Sequence, residues 1–93
     1  MAVEQAAKYV IFTGHVQGVG FRYTAHSIAR QYRVSGHVRN LPDGTVEMLV
    51  QGAPADIDNY IQDVQQEFAG HIRETQIEPA PVNPRYRSFE IAF

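Results

Sequence analysis

The apolar residues of this chain change their spacing in a set order, and that order restricts the fold more than any single residue does. From Lys8 to His15 the run Tyr9, Val10, Ile11, Phe12 and Thr13 is β-branched or aromatic and Gly14 closes it, which reads as a mostly buried strand. After a glycine-punctuated stretch, Phe21, Ala25, Ile28, Ala29 and Tyr32 recur at offsets of 4, 7, 8 and 11, one face of a helix. Ser35 to Asn40 is a short strand ending at Leu41-Pro42-Asp43-Gly44, where Pro sets an early turn position and Gly supplies positive φ. A hairpin partner follows, since Thr45 to Gly52 alternates Val46, Met48 and Val50 inward against Glu47, Leu49 and Gln51. Pro54 suits a first helical turn, and Ile57, Tyr60, Ile61, Val64 and Phe68 fall at offsets of 3, 4, 7 and 11 before Gly70. The remainder reads as a strand near Ile72 to Glu78, a turn through Pro79, Pro81 and Pro84, and a last strand alternating Phe89, Ile91 and Phe93.

The order strand, helix, strand, strand, helix, strand predicts an α+β fold, the ferredoxin-like split βαβ sandwich βαββαβ. Its sheet is largely antiparallel with both helices on one face, and here an extra C-terminal strand follows. In that order the first and third strands are central, and the second pairs with the third at an edge. With 93 residues the chain fits one domain, 1–93, with 1–7 expected as a flexible leading segment.

Composition removes several kinds of chemistry. There is no cysteine, hence no disulfide scaffold, thiolate metal site or cysteine nucleophile. His15, His26 and His71 lack metal-ligand spacing, so no metal and no cofactor are expected. A net charge of −2 argues against nucleic acid or an anionic membrane as partner. No apolar run is long enough to span a membrane and the start lacks signal-peptide features, so a cytoplasmic protein is expected, with a monomer as the simplest state. Any anion it recognises must be caught locally.

The local candidate lies between the first strand and first helix, at Gly14-His15-Val16-Gln17-Gly18-Val19-Gly20. Glycines let the main chain turn and a ligand approach it, while the amides and positive dipole end of the helix favour negative charge. Arg22 follows, turned about 100° from core-facing Phe21, and a guanidinium offers paired donors to phosphate oxygens. Two nucleotide-binding motifs fail here: no Gly-Lys-Ser/Thr ends the loop, and Tyr23 stands where the dinucleotide fingerprint needs glycine. Asn40, at the strand end before the hairpin, reads as a turn residue or as a neutral amide able to hold a water against a bound anion.

Two separated segments, Gly14-His15-Val16-Gln17-Gly18-Val19-Gly20-Phe21-Arg22 and Gly36-His37-Val38-Arg39-Asn40 with Asp43-Gly44-Thr45-Val46-Glu47, closely resemble acylphosphatases, and Phe89-Glu90-Ile91 resembles their closing strand. The resemblance spans roughly residues 7 to 93. It implies hydrolysis of a small-molecule acyl phosphate to a carboxylate and inorganic phosphate, without metal or covalent intermediate. Arg22 matches the phosphate-binding arginine, the backbone amides of Gln17, Gly18, Val19, Gly20 and Phe21 complete the cradle, and Asn40 matches the water-positioning asparagine. One departure is His37, where an aromatic residue usually stands; it bears on local packing and acyl preference. By alternation His37 is expected on the solvent side of its strand, and Arg39 as an ordinary surface charge.

Two readings compete with this one. RNA-recognition domains share the element order, but Thr45 to Gly52 lacks their basic and aromatic strand pattern. A phosphate- or carbamoyl-phosphate-sensing domain without turnover is the other, since acylphosphatase-like domains occur within larger hydrogenase-maturation proteins. The presence of both Arg22 and Asn40 favours turnover.

Overall fold

The computed structural model describes residues 4–93. Seven elements follow one another: β1 (Ala6–Gly14), α1 (Phe21–Ala29), β2 (Val34–Asn40), β3 (Val46–Gly52), α2 (Pro54–Glu67), β4 (Ile72–Ala80) and β5 (Phe89–Ala92). They build one five-stranded sheet in the order β4-β1-β3-β2-β5. The β4–β1, β1–β3 and β3–β2 pairs are antiparallel, and β2–β5 is parallel.

Register explains the core. Val10 sits opposite Met48, Met48 opposite Val38 and Val38 opposite Ile91, so one rung of apolar side chains crosses four strands on a single face. The buried stripes of both helices, Phe21, Ala25 and Ala29 on α1 and Ile57, Tyr60, Ile61 and Val64 on α2, join the same cluster, which puts both helices on that face. Tyr60 is fully buried yet its hydroxyl donates to the Ala25 carbonyl at 2.7 Å, tying α2 to α1. Phe21 lies between Phe12 and Phe68, with ring centroids 5.0 and 4.3 Å away. The first residue of α1 is thereby locked in the core, which fixes where Arg22 starts.

Several expectations change. The first strand takes in Ala6 and Ala7, expected in the flexible leading segment, because they pair with Gly52 and Gln51 and Ala7 is buried; the first three residues of that segment lie outside the described residues. The helix α1 stops at Ala29, and Tyr32 belongs to the turn beyond it, where its hydroxyl bonds Asp63. β4 continues through Pro79, which an edge strand tolerates because no partner needs the missing N–H. β2 is not at an edge, since β5 adds alongside it and the edges are β4 and β5.

The largest difference is on the helix-free face. Glu47 and Gln51 alternate away from the core yet are buried. Gln51 donates to the Asn83 carbonyl at 2.8 Å and accepts from the Asn83 N–H at 3.0 Å, so the proline-rich segment is strapped over the sheet. Glu47 accepts from Tyr9 at 2.6 Å, meets His37 Nε2 at 2.9 Å and pairs with Arg39 at 3.0 Å. His37 also contacts the Tyr86 hydroxyl at 3.2 Å, so it is no simple solvent-side residue, and Arg39 is no free surface charge. The sequence pattern records which face a residue takes, and the strap decides how far water reaches it.

This cluster carries a pH prediction. Burial pushes the Glu47 carboxyl up, but the bonds from Tyr9 and His37 and the charge of Arg39 outweigh it, leaving it below the usual carboxylate range. The Glu47 bond in turn pushes the Tyr9 hydroxyl up to about 12. A depressed carboxylate stabilises the fold above its unfolded value, about 4.3, and that contribution is lost as pH falls through the folded value. Glu47→Gln is therefore expected to cost about 2 kcal/mol at neutral pH, and the gap from the unaltered protein to close in acid. Urea unfolding at pH 7 and pH 3 checks this; an equal gap at both would contradict it.

Candidate active site

Between β1 and α1 the chain needs a sharp reversal, and Gly18 and Gly20 provide it with φ of 78° and 77°. Gly20 is the N-cap of α1 in the left-handed region, with no side-chain capping bond and no acidic residue in the first turn. The first helical bond runs from Thr24 N–H to Gly20 carbonyl at 3.0 Å. Ahead of it, the N–H groups from Gln17 to Tyr23 donate to no acceptor among the described residues. Buried Val16 pins the loop to the core, so these amides are held in place while remaining unpaired.

A cleft of about 220 Å³ opens here, lined by Val16, Gly18, Gly20, Phe21, Arg22, Tyr23 and Asn40. Arg22 forms no ion pair among the described residues; its guanidinium lies over the Phe93 ring, 4.8 Å from the centroid. Asn40, at the end of β2, comes to the same cleft from across the sheet. Its Oδ1 is buried and has no hydrogen-bond partner among the described residues. A buried acceptor left open is costly, so Asn40 suits a ligand that brings a donor.

The side chain of Gln17 joins the two halves. Its Nε2 donates to the carbonyls of Leu41 and Thr45, both at 2.8 Å, bridging the glycine loop to the β2–β3 hairpin. The hairpin is braced in turn, with Leu41 N–H on the Thr45 carbonyl at 2.9 Å and Asp43 accepting from both the N–H and the hydroxyl of Thr45. Those bonds hold the Asp43 carboxyl below its ordinary range.

Of the residues singled out from the sequence, Gly18, Gly20, Phe21, Arg22 and Asn40 line the cleft; Gln17 and Val19 belong to the same loop but are not among its lining residues. Two features had no sequence signal of their own. A glutamine between hydrophobic and glycine residues does not announce that its amide reaches a hairpin more than twenty residues on, and Tyr23 read only as an absent glycine. Chemically, the cleft combines open amides, a helix N-terminus, a guanidinium and a lone acceptor, a set that suits a tetrahedral oxyanion with a water beside it.

These features define the class: a ferredoxin-like α+β domain with an anion-compatible cleft at one end of its sheet. Residues 8–91 match the acylphosphatase family model, and the chain belongs to that family. It is 34% identical to an acylphosphatase of Archaeoglobus fulgidus, covering 90% of this chain and 94% of that one. It is 40% identical to one of Bordetella parapertussis, covering 87% of each. Among solved structures, the acylphosphatase of Bacillus subtilis superimposes with a TM-score of 0.84 at 25% identity, covering 95% and 99%. The full-length HypF structure superimposes equally well, TM-score 0.84 at 29% identity, over all of this chain and 12% of that one. Acylphosphatases are hydrolases acting on acid anhydrides, and the family needs no metal.

Proposed function

We propose that the chain hydrolyses the carboxyl–phosphate anhydride of small-molecule acyl phosphates, with the phosphoryl group on the loop amides and Arg22 and the attacking water held by Asn40. The observation that carries this reading is the buried, unpartnered Asn40 Oδ1 in the same cleft as the open loop amides and Arg22. Phosphoryl transfer asks for positioning and for stabilisation of charge on the equatorial oxygens. The amides of Gln17, Gly18, Val19, Gly20 and Phe21, with the helix dipole, supply one set of fixed dipoles, and the Arg22 fork supplies a full charge. A water bound to the phosphoryl group donates to Asn40 Oδ1, which turns a lone pair toward phosphorus.

The water oxygen bonds to phosphorus while the bond to the acyl oxygen breaks, and the carboxylate leaves with that electron pair. The water's proton passes to a phosphate oxygen, giving inorganic phosphate. A carboxylate is a good leaving group, so neither a strong general base nor a covalent intermediate is required. The reading takes the protein as a cytoplasmic monomer without nucleic-acid or membrane partners; among the described residues no helix is long and apolar enough to cross a membrane.

The deciding experiment is hydrolysis of benzoyl phosphate in excess chelator, followed by loss of anhydride absorbance. Sustained turnover is expected. A folded protein that binds inorganic phosphate yet turns nothing over would instead be a sensing module.

A further inference from the structure

We infer that a groove at the far end of the sheet from the β1–α1 cleft is a second anion site, which takes a small organic molecule bearing a phosphate group on Arg33 and Arg87. The inference is independent of the acylphosphatase reading, since neither arginine belongs to the cleft.

The groove holds about 520 Å³, against about 220 Å³ for the cleft. In the β2–β3 ladder Asn40 pairs with Val46 at the cleft end, while Val34 pairs with Gly52 at the other, where the groove lies. The start of β2 and the turn before it contribute Ser35 and Arg33, β3 contributes buried Gln51, and the proline-rich strap contributes Pro84, Tyr86 and Arg87.

Both arginines are seated by their backbones. A Cβ at position 52 would stand 2.6 Å from the Arg33 carbonyl oxygen, so the missing side chain of Gly52 is what lets Arg33 lie against the end of β3. Arg87 sits between two anchors: the Tyr86 hydroxyl meets His37 Nδ1 at 3.2 Å, and the Ser88 carbonyl accepts from Gly36 N–H at 3.0 Å. The paired bonds between Asn83 and Gln51 fix the strap ahead of them. Neither guanidinium forms an ion pair among the described residues, and no carboxylate among them lines the groove. In a chain of net charge −2, this is a local positive field in a concave surface, which concentrates anions there.

The donor set selects the anion. One guanidinium fork saturates the two oxygens of a carboxylate, whereas a phosphate group carries oxygens enough for two forks. The volume lies within the roughly 300–1,000 Å³ of small-molecule sites and exceeds what inorganic phosphate fills, and Tyr86 and Pro84 add apolar surface for an organic part.

The test titrates ¹⁵N-labelled protein with phenyl phosphate at constant, physiological ionic strength and reads amide shifts by residue, with benzoate and inorganic phosphate as comparators. Phenyl phosphate is expected to move the amides of Ser35, Gly52 and Arg87 along a saturating curve. Arg33→Gln and Arg87→Gln are each expected to weaken that curve about 10-fold, the lower range for a charge-assisted contact, and to leave the shifts of Gly18 to Phe21 and kcat/KM for benzoyl phosphate unchanged. Both arginines are exposed, so the variants keep the core, which circular dichroism checks. Shifts confined to the loop amides, a response that never saturates, or one that survives both substitutions overturns the site. Benzoate binding as tightly as phenyl phosphate overturns the choice of phosphate, and inorganic phosphate binding as tightly overturns the organic part.

Discussion

Replacing Arg22 by alanine is expected to lower kcat/KM for benzoyl phosphate by about 10²–10³-fold, the usual cost of losing one preorganised charge contact, and to weaken competitive inhibition by inorganic phosphate in the same variant. The reasoning is geometric. Phe21 is clamped between Phe12 and Phe68, so the start of α1 cannot shift, and the guanidinium is free of carboxylate partners among the described residues. Its charge is thus unspent in the resting protein, and on the proposed mechanism it meets the phosphate both before and during reaction. Removing it leaves the amides and the helix dipole, which together offer a weaker field. Arg22→Lys keeps the charge but loses the planar fork, and it should recover only part of the rate. The urea midpoint should barely move, since the side chain touches only Phe93 among ring systems. An Arg22→Ala protein with unchanged phosphate inhibition would remove Arg22 from the binding role.

Asn40→Ala is expected to behave differently: kcat falls by about 10²-fold, the scale of a misplaced reactant, and the inhibition constant of inorganic phosphate stays near that of the unaltered protein. On the proposed mechanism the amide meets the water and not the phosphate, so ground-state binding of the product is expected to survive its loss. Truncation also removes a buried acceptor that has no partner among the described residues, so stability should hold or rise. Measuring phosphate inhibition beside kcat in both variants separates the two roles. Equal loss of phosphate affinity in Arg22→Ala and Asn40→Ala would contradict the division of labour.

Much of the fold was legible because its signals are local. The spacing of Ile57, Tyr60, Ile61 and Val64 marks α2 whatever it packs against, and the alternation of Val46, Met48 and Val50 marks the core face of β3. What the pattern could not carry was distance along the chain. The burial of Glu47 and Gln51 depends on Tyr9, His37 and Asn83, which reach them from other parts of the sequence, and β2 lost its edge only because residues 89–92 return beside it. At the candidate site the loop glycines, Arg22 and Asn40 were legible through motif resemblance. The Gln17 bridge and the exposed Tyr23 ring were not, because each is defined by a neighbour or by the lack of one.

The parallel pairing of β5 with β2 has a consequence for synthesis on the ribosome. Parallel neighbours cannot be joined by a tight turn, and here the connection runs through β3, α2, β4 and the proline-rich strap. While β5 is still unmade, a nascent chain that has already formed the β3–β2 hairpin presents β2 as a bare edge, with the outer flank of Val38 uncovered. That edge is a template for a strand from a neighbouring chain, so the interval between translation of residue 52, which completes the hairpin, and residue 92 is when self-association competes with folding. The strap and β5 close the window together, because Gly36 N–H is taken by the Ser88 carbonyl as β5 seats.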